Sequence, residues 1–413
     1  MYKNNYKEIN KCRLNNSNNL ISILNLGHQC LTGVFPKSKD ENISSVPLEL
    51  VWCPDSGLVQ MKHSFNPDEM YGDNYGYRSG LNYSMVNHLK NKVLFLQKNI
   101  GLNSGDVVLD IGSNDGTLLK SYNVKGIERI GVDPTAIKFK EYYPDDIILI
   151  SNFFSKEIIE NITNKKIKII TSIAMFYDLE DPIKFVRDIY SILDDDGIWH
   201  FEQSYMPSML RTTSYDTICH EHVEYYSLSV IKYILECADM KIIDVNMNGI
   251  NGGSFAVTAA KTKSNFIPNS PIINWLLFQE NKMGLNTPRP YRDFEERVFK
   301  HKYDLKQLIT SLVNSGKKVF GYGASTKGNV LLQFCGFTSA EIPFIADVNN
   351  YKFGRFTPGS NIPIISEQEA RDMKPDFFLV LPWHFKDGIL KREKEFIENG
   401  GKFIFPFPEI EII

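Results

Sequence analysis

Apolar and polar positions along the middle of the chain alternate between two rhythms. Short apolar runs at Val107–Leu109, leading up to Asp110, and at Arg129–Val132, Ile147–Ile150, Ile167–Ile173 and Ile198–Glu202 read as buried strands. Stretches with helical spacing separate several of them, notably Pro182–Leu193, with apolar residues at 183, 185, 186, 189, 192 and 193. Further helices are expected at Met85–Asn99, from Thr117-Leu118-Leu119 onward, and at Leu228–Cys237. Strand and helix in alternation predict a parallel sheet covered on both faces. The rhythm then breaks. Lys241–Val245 and Ser254–Ala260 are two strands joined by NGINGGS with no helix between them, a closing hairpin.

The flanks differ. Residues 1–72 are polar and turn-rich, with short strands expected at Leu20–Leu26, Leu48–Cys53 and Gly57–Met61. Residues 263–315 read as helical, with Tyr291–Asn314 one amphipathic helix that Gly316 ends. A second α/β unit follows. Its strands are Lys318–Gly323, Pro343–Ala346, Phe377–Leu381 and Lys402–Phe405, and its helices run from Ala324-Ser325-Thr326-Lys327-Gly328 through Phe334 and over Lys386–Asn399. The expected fold is α/β: a doubly wound sheet with a closing β-hairpin over 73–262, preceded by a small β-rich lobe over 1–72. A helical linker and a Rossmann-like α/β domain over 263–413 follow it.

Composition narrows the class. Hydrophobic content of 43% and charged content of 23% suit a water-soluble globular chain, and 413 residues suit two or three domains. A net charge of −3 supplies no basic field for nucleic acid. No apolar run reaches the roughly 20 residues of a membrane span. The first residues lack a signal-peptide core, and six scattered Cys show no disulfide rhythm, so a cytoplasmic location is expected. In the first lobe a zinc ribbon needs C-x-x-C twice. Cys12 and Cys53 begin two such pairs, but Asn15 and Ser56 stand at the partner positions. Cys30 and His28 form no known metal spacing with them. A degenerate ribbon without metal is expected.

The chemistry begins at VVLDIGSNDG, residues 107–116. A buried strand ends in Asp110, and a turn framed by Gly112 and Gly116 follows, where the missing Cβ atoms let a ligand approach the backbone. A dinucleotide fingerprint needs G-x-G-x-x-G; here Asn114 replaces the second glycine and Asp115 follows it. That favours S-adenosylmethionine (SAM), which carries amine and sulfonium charges and no phosphate. Asp133, at the end of the second strand, suits ribose hydroxyls. Asn152 and Phe153 suit the adenine, and Met175 and Tyr177 stand beside the expected methyl donor. A Tyr- and Gly-rich segment, YGDNYGYRSGLNY, offers a lid with Tyr75 toward the cofactor and Tyr77 and Arg78 toward substrate. YDTICHEHVEYY, residues 215–226, concentrates proton-moving groups: His220, Glu221 and His222, with Tyr215 beside substrate. Metal chelation by His-x-His and a plain helix-capping loop are the competing readings. Gln203, at the end of the fifth strand, is a substrate candidate. In the C-terminal unit Gly323, Ser325, Lys327 and Asn329 resemble a phosphate cradle, Lys352 and Arg355 suit a diphosphate, and Trp383 and His384 a sugar or base.

These stretches together resemble the C-methyltransferases that act on nucleotide-linked 4-keto deoxysugars. The anchors are LNLGHQCLTGVFP, YGYRSG, DIGSNDG, YDTICHEHVEYYSL, NGGSF, GYGASTKGN and GRFTPG. The resemblance covers nearly the whole chain and implies a zinc-binding lobe, a SAM-dependent methyltransferase domain and a C-terminal domain shared with substrate. It implies that His222 removes the proton beside the ketone, with Glu221 next to it, and that the enolate takes the methyl of SAM. Cys219 stands where some members carry Tyr, which leaves His220 or Tyr177 to steady the enolate. The implied partner is a nucleotide-diphosphate keto sugar, the chain being a monomer or homo-oligomer. The rival readings are an NAD-dependent nucleotide-sugar oxidoreductase and a catalytically silent binding module.

Overall fold

The structure, a computed structural model, describes residues 6–66, 70 and 77–413. Its central sheet has seven strands in the order Met240–Asn248, Ser254–Lys261, Leu193–Ser204, Ile167–Ile173, Val107–Ile111, Glu128–Val132, Ile147–Ile150. Counted along the chain this is 6-7-5-4-1-2-3. The seventh strand alone runs against its neighbours, pairing antiparallel with both the fifth and the sixth. The first five pair parallel, Asp110 opposite Gly131 and Thr171. Val107–Ile111 is buried along its whole length, which is why Val107, Val108 and Leu109 read as an apolar run up to the buried Asp110.

One expected helix is missing. After Gly116 the chain makes only a 3-10 turn, Leu119–Ser121. Eleven residues separate Gly116 from the strand at Glu128, and Asn123 and Gly126 interrupt them, too little chain for a full helix and its return. The helix Tyr83–Asn99 closes that face instead, burying Leu89, Val93 and Leu96 with Val108 and Ile169.

The small lobe is a sheet in the order Glu224–Tyr225, Val59–Met61, Ser45–Trp52, Ile21–Cys30. Its first strand comes from the His-Glu-His loop: Glu224 pairs with Gln60 and Tyr225 with Val59. The C-terminal sheet runs Ile364–Ser366, Ile345–Asp347, Val319–Tyr322, Phe377–Val380, Lys402–Phe405, Glu411–Ile412. Its first five strands are parallel in a 3-2-1-4-5 arrangement, and the last, unforeseen, pair is antiparallel. Helix Arg289–Asn314 turns Tyr291 onto Trp52 of the small lobe, ring centroids 4.9 Å apart. The small lobe and the C-terminal sheet therefore share one apolar core. Among the described residues no helix is long and apolar enough to cross a membrane.

Candidate active site

A cavity of about 560 Å³ opens over the carboxyl ends of the central strands. Its floor is the cradle. Gly112 holds φ +77°, and a Cβ there would lie 3.1 Å from Met175 Cγ, so the backbone itself forms the wall. Asp110 is buried and its Oδ1 accepts from the Thr171 hydroxyl at 2.6 Å; burial raises its pKa to about 7, and Thr171 pulls the other way. Asp133 accepts the Asn114 amide on Oδ2 at 2.9 Å and the Thr135 amide on Oδ1 at 2.6 Å, which sets the acid at the rim. Asn152 and Phe153 line the same end, and Met175 follows Ala174, whose backbone is left-handed at φ +56°.

Asn114 and Asp115 do a second job. The Asn114 side chain accepts from Ser79 N at 2.9 Å and donates to the Tyr77 carbonyl at 3.2 Å, and Asp115 accepts from Gly80 N at 3.0 Å. The turn thus holds the strap of residues 77–80 over the cavity, with Tyr77 lining it. Arg78 does not line it: its guanidinium sits over the Tyr142 ring and beside Asp115, bracing the strap from outside. Gly116 also lies behind the wall, leaving room for the Tyr143 ring, which a Cβ would meet at 3.0 Å. Tyr75 falls outside the described residues.

His222 faces the cavity from the opposite side. Its Nδ1 lies 2.9 Å from the Thr217 carbonyl, which can only accept, so Nδ1 carries the proton and Nε2 presents a lone pair. The ring lies on Tyr177, centroids 4.1 Å apart, and Val223 N donates to the Tyr177 carbonyl at 3.0 Å. Burial, with the Lys327 charge adding to it, lowers the imidazole pKa to about 3 and keeps the ring neutral. Glu221 and Cys219 line the cavity beside it, and burial raises the pKa of both. Glu221 packs against Gly33, where a Cβ would meet its Oε1 at 2.6 Å. From the C-terminal unit, Lys327 reaches in and donates to the Asn251 carbonyl at 2.9 Å; burial lowers its pKa against the pull of Asp216. Gln203 lines the cavity at 1% exposure with neither amide atom paired among the described residues.

Other candidates are spent elsewhere. His220 is wholly buried against Phe65 of the small lobe, centroids 4.9 Å apart, and does not line the cavity. Tyr215 is equally buried, its hydroxyl 3.1 Å from His301 Nδ1, and does not line the cavity. The second glycine turn is not an open phosphate cradle. Gly323 packs under Pro382, and Ser325 caps its own helix through Gly328 N at 3.0 Å. Asn329 donates to the Thr32 carbonyl at 2.7 Å. Lys352 donates to the Ala324 carbonyl at 2.6 Å beside Asp347, and Arg355 to the carbonyls of Tyr351 and Phe35. Trp383 Nε1 donates to the buried Asp216 at 2.8 Å, and His384 does not line the cavity. These side chains weld the C-terminal unit to the small lobe and the loop. Sequence reading also missed one acid: Glu202, at the end of the fifth strand, lines the cavity and meets His88, Lys92 and Asn248 at 2.6 Å each. Burial pushes its pKa up, but His88 and Lys92 outweigh it and bring it to about 2. Its place beside Gln203 at a strand end was the available signal.

Strand order 3-2-1-4-5-7-6 with a reversed seventh strand, and a glycine turn flanked by acids at the ends of the first two strands, define a SAM-dependent methyltransferase. Sequence comparison extends this. Residues 83–245 match a methyltransferase domain, 249–408 a C-methyltransferase C-terminal domain, and 12–71 a domain described as zinc binding. The C-methyltransferase NovU of Streptomyces niveus is 31% identical over 411 residues, covering 98% of this chain and 97% of NovU. The chain belongs to the SAM-dependent C-methyltransferase family. Among solved structures, it is similar to magnesium protoporphyrin IX methyltransferase from Synechocystis PCC 6803 with bound SAH, at 14% identity and TM-score 0.34 over 46% of this chain and 90% of that one. YcgJ from Bacillus subtilis is similar at 15% identity and TM-score 0.33 over 41% and 98%.

The cradle fits SAM: an open backbone wall at Gly112 and a buried acid at Asp110 suit a cationic ligand. The lobe does not fit zinc. Its four knuckle positions hold two thiols, a hydroxyl and an amide, and the described residues contain no group of three His, Cys, Asp or Glu able to hold a metal ion. Asp110 carries a pH prediction. Its pKa is raised, so the carboxylate that attracts a cation is lost as pH falls through about 7. SAM affinity measured by calorimetry is expected to weaken by up to about tenfold per pH unit below about 7, and Asp110→Asn to flatten that slope.

Proposed function

We propose that the protein methylates carbon in a nucleotide-diphosphate-linked 4-keto deoxysugar, at the position next to the ketone, with His222 as general base. The observation that carries this reading is His222 in the wall of the same cavity as the SAM cradle, with Nδ1 held by the Thr217 carbonyl and Nε2 left free of that bond. When bound by Asp110, Gly112 and Asp133, SAM supplies an electrophilic methyl group. His222 Nε2 takes the α-proton, and the C–H electron pair moves into the enolate. Such a proton is far less acidic than an imidazolium, so the oxyanion needs donors already in place. Lys327 and the Gln203 amide, unpaired among the described residues, are the candidate donors. Glu221 is a second acid at the loop, and the Tyr177 ring orients His222. The small lobe holds the base loop through the Glu224–Tyr225 strand.

The test is incubation of the full chain with SAM and a panel of nucleotide-diphosphate 4-keto deoxysugars, read by mass spectrometry. A one-methyl gain on a sugar carbon, and deuterium uptake at that carbon from heavy water without SAM, are expected. SAM turnover on none of the panel overturns the sugar reading.

A further inference from the structure

The two turns of a zinc ribbon persist in the small lobe while half of its ligands are gone. In the first, Cys12-Arg13-Leu14-Asn15-Asn16, the Asn16 amide donates to the Cys12 carbonyl at 2.9 Å and Asn16 holds φ +58°. In the second, Cys53-Pro54-Asp55-Ser56-Gly57, the Gly57 amide donates to the Cys53 carbonyl at 2.8 Å and Gly57 holds φ +77°. The same turn occurs twice, from residues that share only the leading Cys. Folding brings the four ligand positions together in crossed pairs. Cys12 Sγ lies 3.1 Å from Ser56 Oγ, and the Cys53 thiol points to Asn15 Oδ1 at 4.0 Å. Both thiols are buried. A structural zinc asks for four strong ligands, with each thiol ionised. A serine hydroxyl and an amide oxygen are poor substitutes for the missing two.

Both turns are mounted on the strand that carries the catalytic loop. The Cys53 amide donates to the Leu58 carbonyl at 2.8 Å, closing the hairpin that leads into Val59–Met61. From the first turn, the Arg13 amide donates to Gln60 Oε1 at 2.9 Å and its guanidinium to the Met61 carbonyl at 2.8 Å. Met61 N in turn donates to the Val223 carbonyl, one residue past His222.

We propose that this lobe works as a metal-free knuckle pair, in which the Cys12–Ser56 and Cys53–Asn15 contacts replace the zinc cross-link and keep the strand under the base loop in register. The ligand geometry is retained, so restoring both thiols creates a zinc site. This inference rests on the lobe and is independent of the sugar reading, because its readouts need neither substrate nor turnover.

The experiment is zinc analysis of the full-length protein after dialysis against zinc and then buffer, with thermal melts in the presence and absence of a chelator. The wild type is expected to carry essentially no zinc and to melt unchanged with chelator. The double variant Asn15→Cys with Ser56→Cys is expected to carry about one zinc per chain and to lose melting temperature when chelated. Stoichiometric zinc in the wild type, or a chelator-sensitive melt, overturns the metal-free lobe. A double variant that folds and takes no zinc overturns the retained geometry. Should the double variant not fold, the wild-type zinc content and melt still decide the proposal.

Discussion

His222→Ala is expected to lower methyl transfer by about 10³-fold or more, in the upper part of the range for losing a general base, while SAM affinity stays unchanged. The reason is geometric. Nδ1 is committed to the Thr217 carbonyl, so Nε2 is the nitrogen that takes a proton. Deuterium uptake at the substrate α-carbon should vanish with it. The variant leaves the Thr217 carbonyl with the Tyr225 hydroxyl at 3.5 Å as its remaining donor, a cost of about 1 kcal/mol that a thermal melt reads separately. Exchange that persists in His222→Ala removes His222 as the base, whatever the change in turnover. The pH profile adds a check. Burial holds the imidazole pKa near 3, so the base form persists well below the ordinary imidazole range, and His222 contributes no acid limb to kcat/KM near neutrality.

Lys327→Met is expected to lower kcat/KM by about 10²–10³-fold, the usual loss when one donor to a developing oxyanion is removed. The methionine keeps most of the side-chain volume and deletes the charge. The cation lies close enough to His222 to depress its basicity, second only to burial. Removing it raises the His222 pKa, so an acid limb hidden in the wild type should move up in pH in the variant. Burial remains, which keeps that limb below the ordinary imidazole value. An unchanged kcat/KM together with an unchanged acid limb means that Lys327 serves only to hold the hairpin through the Asn251 carbonyl.

Much of the fold was legible because its signals are local. Val107–Leu109 is buried and reads as an apolar run; Gly112 needs φ +77° and reads as glycine; Asp110 sits near the end of its strand and Asp133 directly follows the next. The helix expected after Gly116 failed because strand connection left too little chain, a matter of distance and not of propensity. Lys352 and Arg355 read as diphosphate ligands because a free cation and one spent on a carbonyl look alike in sequence.

By itself the sequence determined the alternation that builds both sheets, the glycine-and-acid cradle, and the His-Glu-His stretch. Only the tertiary structure decided which imidazole faces the cavity. His220 and His222 are two residues apart, which in an extended strand would place them on one side. A turn at Cys219–His222, closed by His222 N onto the Cys219 carbonyl, rotates them apart. The small lobe takes His220 against Phe65, and the cavity receives His222. That choice depends on contacts between segments more than a hundred residues apart, which no local pattern encodes.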